Sequence, residues 1–374
     1  MKVVAINPGS TSTKIAVFEE ETEIFRNNIT HSAEELSRFE KTSHQMEYRV
    51  KTIFDALAKQ NISLSNCAAF SGRGGGLVPC SGGVYRVTPL LLEHASSGLY
   101  GGDHPAALGG QIAQHFAQKF GGKAFVVNPP DTDEFCDEAR VTGFSDIFRA
   151  SHIHTLNQKE TAHRVATDIG KSYEESNFIV AHIGGGVSVT AHRRGKMIDS
   201  NDIIEGDGPM APTRSGSVPA KALMKLCLSG ILSLEELDQR LTKSGGFVDH
   251  LGTSDVREVL ERIAQGDQYA ALVFDAFIYQ IIKYIGAMGT ALSGAVDAII
   301  LTGGIAHNSS VVQRISDATS FIAPVMVRAG EFEMESLAAG ALRVLRGTEA
   351  EKTYTGIPVF TNFDALKRNT GGMQ

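Results

Sequence analysis

Residues 3–6, Val-Val-Ala-Ile, and residues 15–18, Ile-Ala-Val-Phe, form two unbroken apolar runs separated by the polar tract 7–14. The pattern predicts strand, tight turn, strand, with Pro8-Gly9 supplying the bend. Residues 23–30 continue as a third strand. Met46, Val50, Ile53, Phe54 and Leu57 then recur at helical spacing, which predicts an amphipathic helix over 47–59. A short strand at 68–71 runs into Gly72-Arg73-Gly74-Gly75-Gly76. Leu108, Ile112, Phe116 and Phe120 mark another helix, and 123–128 is a buried strand ending at Pro129-Pro130. Strands alternating with helices imply an α/β sheet.

The same plan starts again near Thr161. Residues 178–183 read as a strand, Gly184-Gly185-Gly186 as a turn and 187–192 as the return strand. Residues 220–290 are mostly helical in pattern, 298–302 is a strand opening into Gly303-Gly304, and 335–345 is a last helix. The most apolar window, 285–302, is broken by Asp297 and glycines. It reads as the end of a buried helix followed by a buried strand rather than a membrane span. The repeat divides the chain into two expected domains, 1–155 and 156–345, with the tail 346–374 crossing back to the first. The last 25 residues are expected to fray.

Composition narrows the class. The chain has 374 residues, 42% hydrophobic and 21% charged, as ordinary globular proteins do. A net charge of -7 gives no basic footprint for nucleic acid. Cys67, Cys80, Cys136 and Cys227 have no CxxC spacing, which argues against a zinc site and a disulfide framework. Residues 1–14 lack the charged start and apolar core of a signal peptide, so a cytoplasmic location is expected.

Two glycine-bearing turns carry the first chemical signal. Ser10, Thr11, Ser12 and Thr13 bring hydroxyls, Gly9 admits a ligand close to the backbone, and Lys14 adds a positive charge. Small donors plus one cation in a hairpin suit a phosphate, although a surface turn uses similar residues. Gly184-Gly185-Gly186 offers backbone N–H groups with no side chains in the way, at a conformational cost that a plain turn does not require. No GxxxxGK[ST] exists, and Gly206-Asp207-Gly208-Pro209-Met210-Ala211 fits GxGxxA only loosely. Any nucleotide must therefore be held by the hairpins. Arg73 and Arg214 sit in glycine-rich settings, and as a pair they suit a reaction that brings two anions together.

Asn7-x-Gly9-Ser10-Thr11-Ser12-x-Lys14 closely resembles the N-terminal signature of the acetate kinase family, and within it the butyrate kinase branch. The resemblance extends in family order to about residue 345. It implies a duplicated actin/hexokinase-like (ribonuclease H-like) α/β fold of two domains with an active-site cleft between them. It makes Asn7, Ser10, Ser12 and Lys14 the phosphate and metal end. It makes His182, Gly184, Gly185 and Gly186 the second phosphate loop, with Gly185 standing where the family usually has Asn. Leu301-Thr302-Gly303-Gly304-Ile305-Ala306-His307-Asn308 resembles the adenosine-side motif, so Gly303, Gly304 and Asn308 are expected at the nucleotide. Thr213-Arg214-Ser215-Gly216 is a family motif, and Arg73 falls at the other active-site arginine. His154 matches the catalytic histidine, and His104 a substrate-site histidine. Asp133, with Asp131 as alternative, matches the metal-proximal aspartate. Glu333, with Glu335 as alternative, matches the magnesium-linked glutamate.

The expected reaction is phosphorylation of a short-chain carboxylate by ATP, with Mg²⁺, to an acyl phosphate and ADP, butyrate foremost. Acetate, propionate and branched acids are alternatives. A carboxylate is already ionised at pH 7, so it needs no general base. The obstacle is repulsion between two anions, which Arg73, Arg214 and His154 would offset. Leu77 and Val78, just after Arg73, are expected to line the slot for the acyl chain. The resemblance also implies a homo-oligomer, while the charge and the broken apolar window lead us to expect no nucleic acid or membrane partner. A hydroxyl kinase, or a nucleotide-gated assembly protein of the same superfold, is the competing expectation.

Overall fold

The computed structural model describes residues 1–369 apart from Gly101 and Asp103; Asp103 of the His104 motif and residues 370–374 of the expected returning tail lie outside the described residues. The chain forms two units, Met1–Asp133 with Phe332–Gln374, and Glu134–Glu331.

The first unit is built on a seven-stranded sheet. Strands β1 (Lys2–Pro8), β2 (Ser12–Glu19) and β3 (Thr22–Thr30) form an antiparallel meander, and β4 (Cys67–Gly72) lies parallel to β1. β5 (Val84–Arg86) and β6 (Lys123–Val127) complete it with the Glu351–Thr353 strand, in the order Glu351–Thr353, β5, β6, β4, β1, β2, β3. Val3 to Ile6 are fully buried because helices cover both faces of the central strands. The Met46–Lys59 helix turns Val50, Ile53 and Leu57 inward, and the Leu108–Phe120 helix turns in Leu108, Ile112 and Phe116. Phe54 and Phe116 meet edge to face at 5.1 Å. Burial of each such side chain is worth about 1.5–3 kcal/mol. The Glu333–Leu345 helix packs against β1, β4 and β6.

The second unit repeats the plan on five strands. β7 (Asn177–Ile183), β8 (Val187–Arg193) and β9 (Lys196–Ser200) form the meander. β10 (Ala298–Gly303) is parallel to β7, and β11 (Val325–Ala329) is parallel to β10. The order β9, β8, β7, β10, β11 matches β3, β2, β1, β4, β6 of the first unit, so the fold is duplicated. The Gln268–Ala291 helix has the length and apolarity of a membrane span, but its face of Phe274, Phe277, Ile278, Ile281 and Ile285 packs into this unit's core.

Three expectations need correction. The first domain boundary falls after residue 133, not 155. Glu134 is held within the second unit by Lys159 Nζ at 2.8 Å and by the Met197 N–H at 2.9 Å, and the Cys136 N–H donates to the Ile198 carbonyl. The return to the first unit begins at Phe332, not 346, because the last long helix covers the first sheet rather than the second. The stretch expected to fray contributes the Glu351–Thr353 strand, which pairs with β5.

Candidate active site

In the first unit the β1–β2 hairpin is closed tightly, with the Gly9 N–H donating to the Ser12 carbonyl at 2.7 Å. The pairing places Asn7 opposite Lys14, so both side chains leave the same face of the sheet. That face meets the N-terminus of the Glu333–Leu345 helix. Asn7 Nδ2 donates to Glu333 Oε2 at 2.7 Å, and Lys14 Nζ lies 3.8 Å from the same oxygen. Arg73 Nη1 reaches Glu333 Oε1 at 2.8 Å. Glu333, the first residue of its helix, thus gathers three of the expected site residues. The alternative, Glu335, turns to Arg26 instead.

Arg73 is positioned by a close backbone approach. Its N–H donates to the Ile6 carbonyl at 2.9 Å. A Cβ on Gly109 would run into the Arg73 backbone, and one on Gly72 into the Gly109 backbone. Only glycines allow β4 to end this close to the Leu108–Phe120 helix. His104 Nδ1 accepts the Ala106 N–H at 3.1 Å, which leaves any ring proton of the neutral form on Nε2. Desolvation, and then the Arg73 and Arg49 charges, lower the His104 pKa. Asp131 Oδ1 accepts the Leu77 N–H at 3.2 Å, whereas Asp133 is tied by its backbone to the Cys80 carbonyl and is 7% exposed. Leu77 and Val78 do not form an open slot: each is 2% exposed and packs in the core of this unit. An apolar pair leaving a glycine loop returns to the interior, the commoner fate of such residues.

In the second unit Gly184-Gly185-Gly186 joins β7 to β8, with the Gly184 N–H donating to the Gly186 carbonyl at 3.0 Å. The Arg214 segment is fastened to this turn, because the Thr213 Oγ1 hydroxyl donates to the Gly185 carbonyl at 2.8 Å. The Arg214 guanidinium occupies the space where a side chain on Gly186 would stand. Its Nη1 is buried and has no hydrogen-bond partner among the described residues. Burial lowers the Arg214 pKa, and Asp202 partly opposes this. Arg214 borders a shallow, open recess lined also by Val187, Ile203, Pro209, Ala211 and Leu241.

His154 and His182 stack with ring centres 3.9 Å apart and planes 13° apart. Asn157 Nδ2 donates to the Gly330 carbonyl, so its Oδ1 accepts from His182 Nδ1 at 3.0 Å. Gln158 Nε2 donates to the carbonyl and hydroxyl oxygens of Ser188, and its Oε1 faces His192 Nε2 at 3.0 Å. Ser188 Oγ lies 2.8 Å from His154 Nδ1 and can donate its own hydrogen there. That arrangement leaves the His154 ring proton on Nε2, as a donor. Asn157, Gln158 and Ser188 escape sequence reasoning because polar residues in a helix and a strand carry no pattern until folding brings them together.

Gly303 has φ +88°, and a Cβ there would strike the Ile183 backbone, so β10 leaves its sheet beside the end of β7. The Asn308 carboxamide caps the Ser309–Thr319 helix, accepting the Ser310 and Val311 N–H groups at 3.0 and 3.1 Å. His152, Asp202 and Glu205 are the one tight cluster of three metal-type ligands among the described residues. Asp202 there bonds His152 and caps the turn at Ile204 and Glu205. Asp133 and Glu333 each carry hard oxygen donors. A nucleotide-bound Mg²⁺ suits such a set, since it keeps waters and takes one or two carboxylates.

Comparison with known proteins bears on the family and the fold. The sequence model of the acetokinase family matches residues 147–322. Butyrate kinase 1 of Clostridium acetobutylicum is 44% identical over 353 residues, 94% of this chain and 99% of that protein. Butyrate kinase 2 of the same organism matches to the same extent. Among solved structures, Porphyromonas gingivalis acetate kinase superposes with a TM-score of 0.74 at 20% identity, covering 92% of this chain and 99% of that one. With two sheets of one shared strand order, a glycine-bearing hairpin in each, and relatives alike along nearly their whole length, this chain belongs to the acetokinase family.

Proposed function

We propose that this protein is a carboxylate kinase that transfers the γ-phosphoryl group of ATP to a short-chain acid, butyrate foremost. A carboxylate oxygen attacks phosphorus, the bond to the bridging oxygen of ADP breaks, and an acyl phosphate forms. No proton is released, so no general base is needed. The observation that carries the reading is Arg214: a guanidinium held against a triple-glycine turn with a buried Nη1 that no group among the described residues satisfies. Such a donor is costly unless an anion completes it. The names of the 44%-identical relatives support butyrate as the acid.

Arg73 and Arg214 would bind the acid and the equatorial oxygens of the transferring group, for which forked donors are suited. His154, which with Ser188 donating to its Nδ1 presents an Nε2 proton, would add a further donor. Asn7, Ser10, Ser12 and Lys14, with the Gly184–Gly186 turn, would grip the phosphates, and Gly303 and Gly304 would lie along the nucleoside. Asp133 and Glu333 would hold Mg²⁺, which when bound neutralises charge between the β- and γ-phosphates. The Glu333 contacts to Asn7 and Arg73 keep these groups oriented meanwhile.

Hydroxylamine trapping with ATP, Mg²⁺ and C2–C6 acids tests the reading. The expected outcome is an acyl hydroxamate, strongest with C4 and lower with its neighbours, since a methylene is worth about 0.8 kcal/mol. ADP formation without any hydroxamate would favour a hydroxyl kinase or ATPase instead.

A further inference from the structure

Arg49 is fully buried, yet among the described residues no carboxylate pairs with it. It projects from the Met46–Lys59 helix onto the β1–β2 hairpin. Nη1 donates to the Ser12 carbonyl at 3.1 Å and to Thr13 Oγ1 at 2.9 Å. Nε and Nη2 both donate to Gln45 Oε1, at 3.0 and 2.8 Å. Thr13 is fully buried, and its hydroxyl also meets His31 Nε2 at 2.8 Å, while His31 Nδ1 meets the Tyr48 hydroxyl at 3.0 Å. Every hydrogen-bond partner of the guanidinium among the described residues is therefore neutral. His31 supplies no countercharge either, because an imidazole is neutral or cationic; burial, and then Arg49, lower its pKa.

A buried guanidinium is costly without a counterion. A neutral side chain could brace the same carbonyl and hydroxyl without that cost. Position 45 is one oxygen away from supplying a carboxylate, and the chain has an amide there. The charge is thus left available to whatever lies over the hairpin. Because it is sheltered from water, it is screened weakly by salt. Its influence also extends to His104, whose pKa it helps to lower.

We propose that Arg49 is a positioning residue of the hairpin's anion site: it fixes Ser12 and Thr13 from behind, and the anionic substrate neutralises its charge. The proposal rests on the reading of the hairpin as a phosphate holder.

Calorimetric titration with ADP, alongside thermal melting, tests it in three full-length variants. Gln45→Glu supplies the missing counterion at nearly constant shape. It should raise the melting temperature and weaken ADP binding by about fivefold or more. Arg49→Lys keeps the charge and loses the fork, so it should melt lower yet bind ADP within about twofold of the wild type. A merely structural role cannot make stability and affinity move in opposite directions. Wild-type affinity in Gln45→Glu would overturn the proposal. Lys14→Ala separates the two readings. If it weakens ADP binding while Gln45→Glu does not, only the role of Arg49 falls. If neither variant weakens binding, the phosphate reading of the hairpin falls as well.

Discussion

His192 shows how a side chain outside the reacting groups sets a condition on the protein. It is fully buried, with Tyr173 Oη 2.8 Å from Nδ1 and Gln158 Oε1 3.0 Å from Nε2. Burial, helped by Lys159, pushes its pKa well below the ordinary histidine value. The unfolded chain takes up a proton near pH 6.5 and the folded one does not, so stability is lost as pH falls below that value. The slope for one such group approaches about 1.4 kcal/mol per pH unit. Urea unfolding between pH 5 and 7 should show this slope shrinking in His192→Asn; equal slopes in both proteins would contradict the account. Arg214 belongs to the same scale. Arg214→Ala should lower turnover about 100-fold or more, the size expected for a strong donor to a transferring group. A loss under tenfold in kcat would remove Arg214 from the reaction.

At the scale of elements, turns decide more than strands do. Two glycines at strand ends have opposite sensitivities. A Cβ on Gly186 meets the far end of the Arg214 side chain, which can swing away. Gly186→Ala should therefore fold with a melting temperature close to wild type and lose most activity, because the guanidinium is displaced. A Cβ on Gly303 meets the Ile183 backbone, at a φ of +88° that alanine tolerates poorly. Gly303→Ala should lose stability first, read as a clear fall in melting temperature. If both variants melt alike, the distinction between side-chain and backbone neighbours is wrong. Both turns were legible in the sequence, since consecutive glycines after an apolar run break the strand pattern. The Gly72–Gly109 approach that aims Arg73 was not, because its partners are 37 residues apart and each looks like an ordinary turn or helix glycine.

At the scale of the whole molecule, the two units differ in continuity. The second is one uninterrupted segment with its own core, and the first needs the returning helix Glu333–Leu345 over β1, β4 and β6. A fragment of residues 134–331 should fold cooperatively by circular dichroism, and one of residues 1–133 should not. Cooperative melting of the shorter fragment would refute this division. The pattern of apolar runs by itself determined eight of the strands, their alternation with helices and the repetition of one plan, because burial of a strand or a helix face is written into local periodicity. By contrast β5, β9, β11 and the Glu351–Thr353 strand are short and do not stand out in that pattern. It also located the hairpins and the arginines, whose glycine settings are local. Tertiary structure alone decided that Glu333 rather than Glu335 meets Asn7 and Arg73, that Leu77 and Val78 are core, where the chain passes between units, and that Arg49 stands behind the hairpin with no counterion among the described residues. Those outcomes depend on which distant residues become neighbours, and periodicity carries no information about distance across the chain.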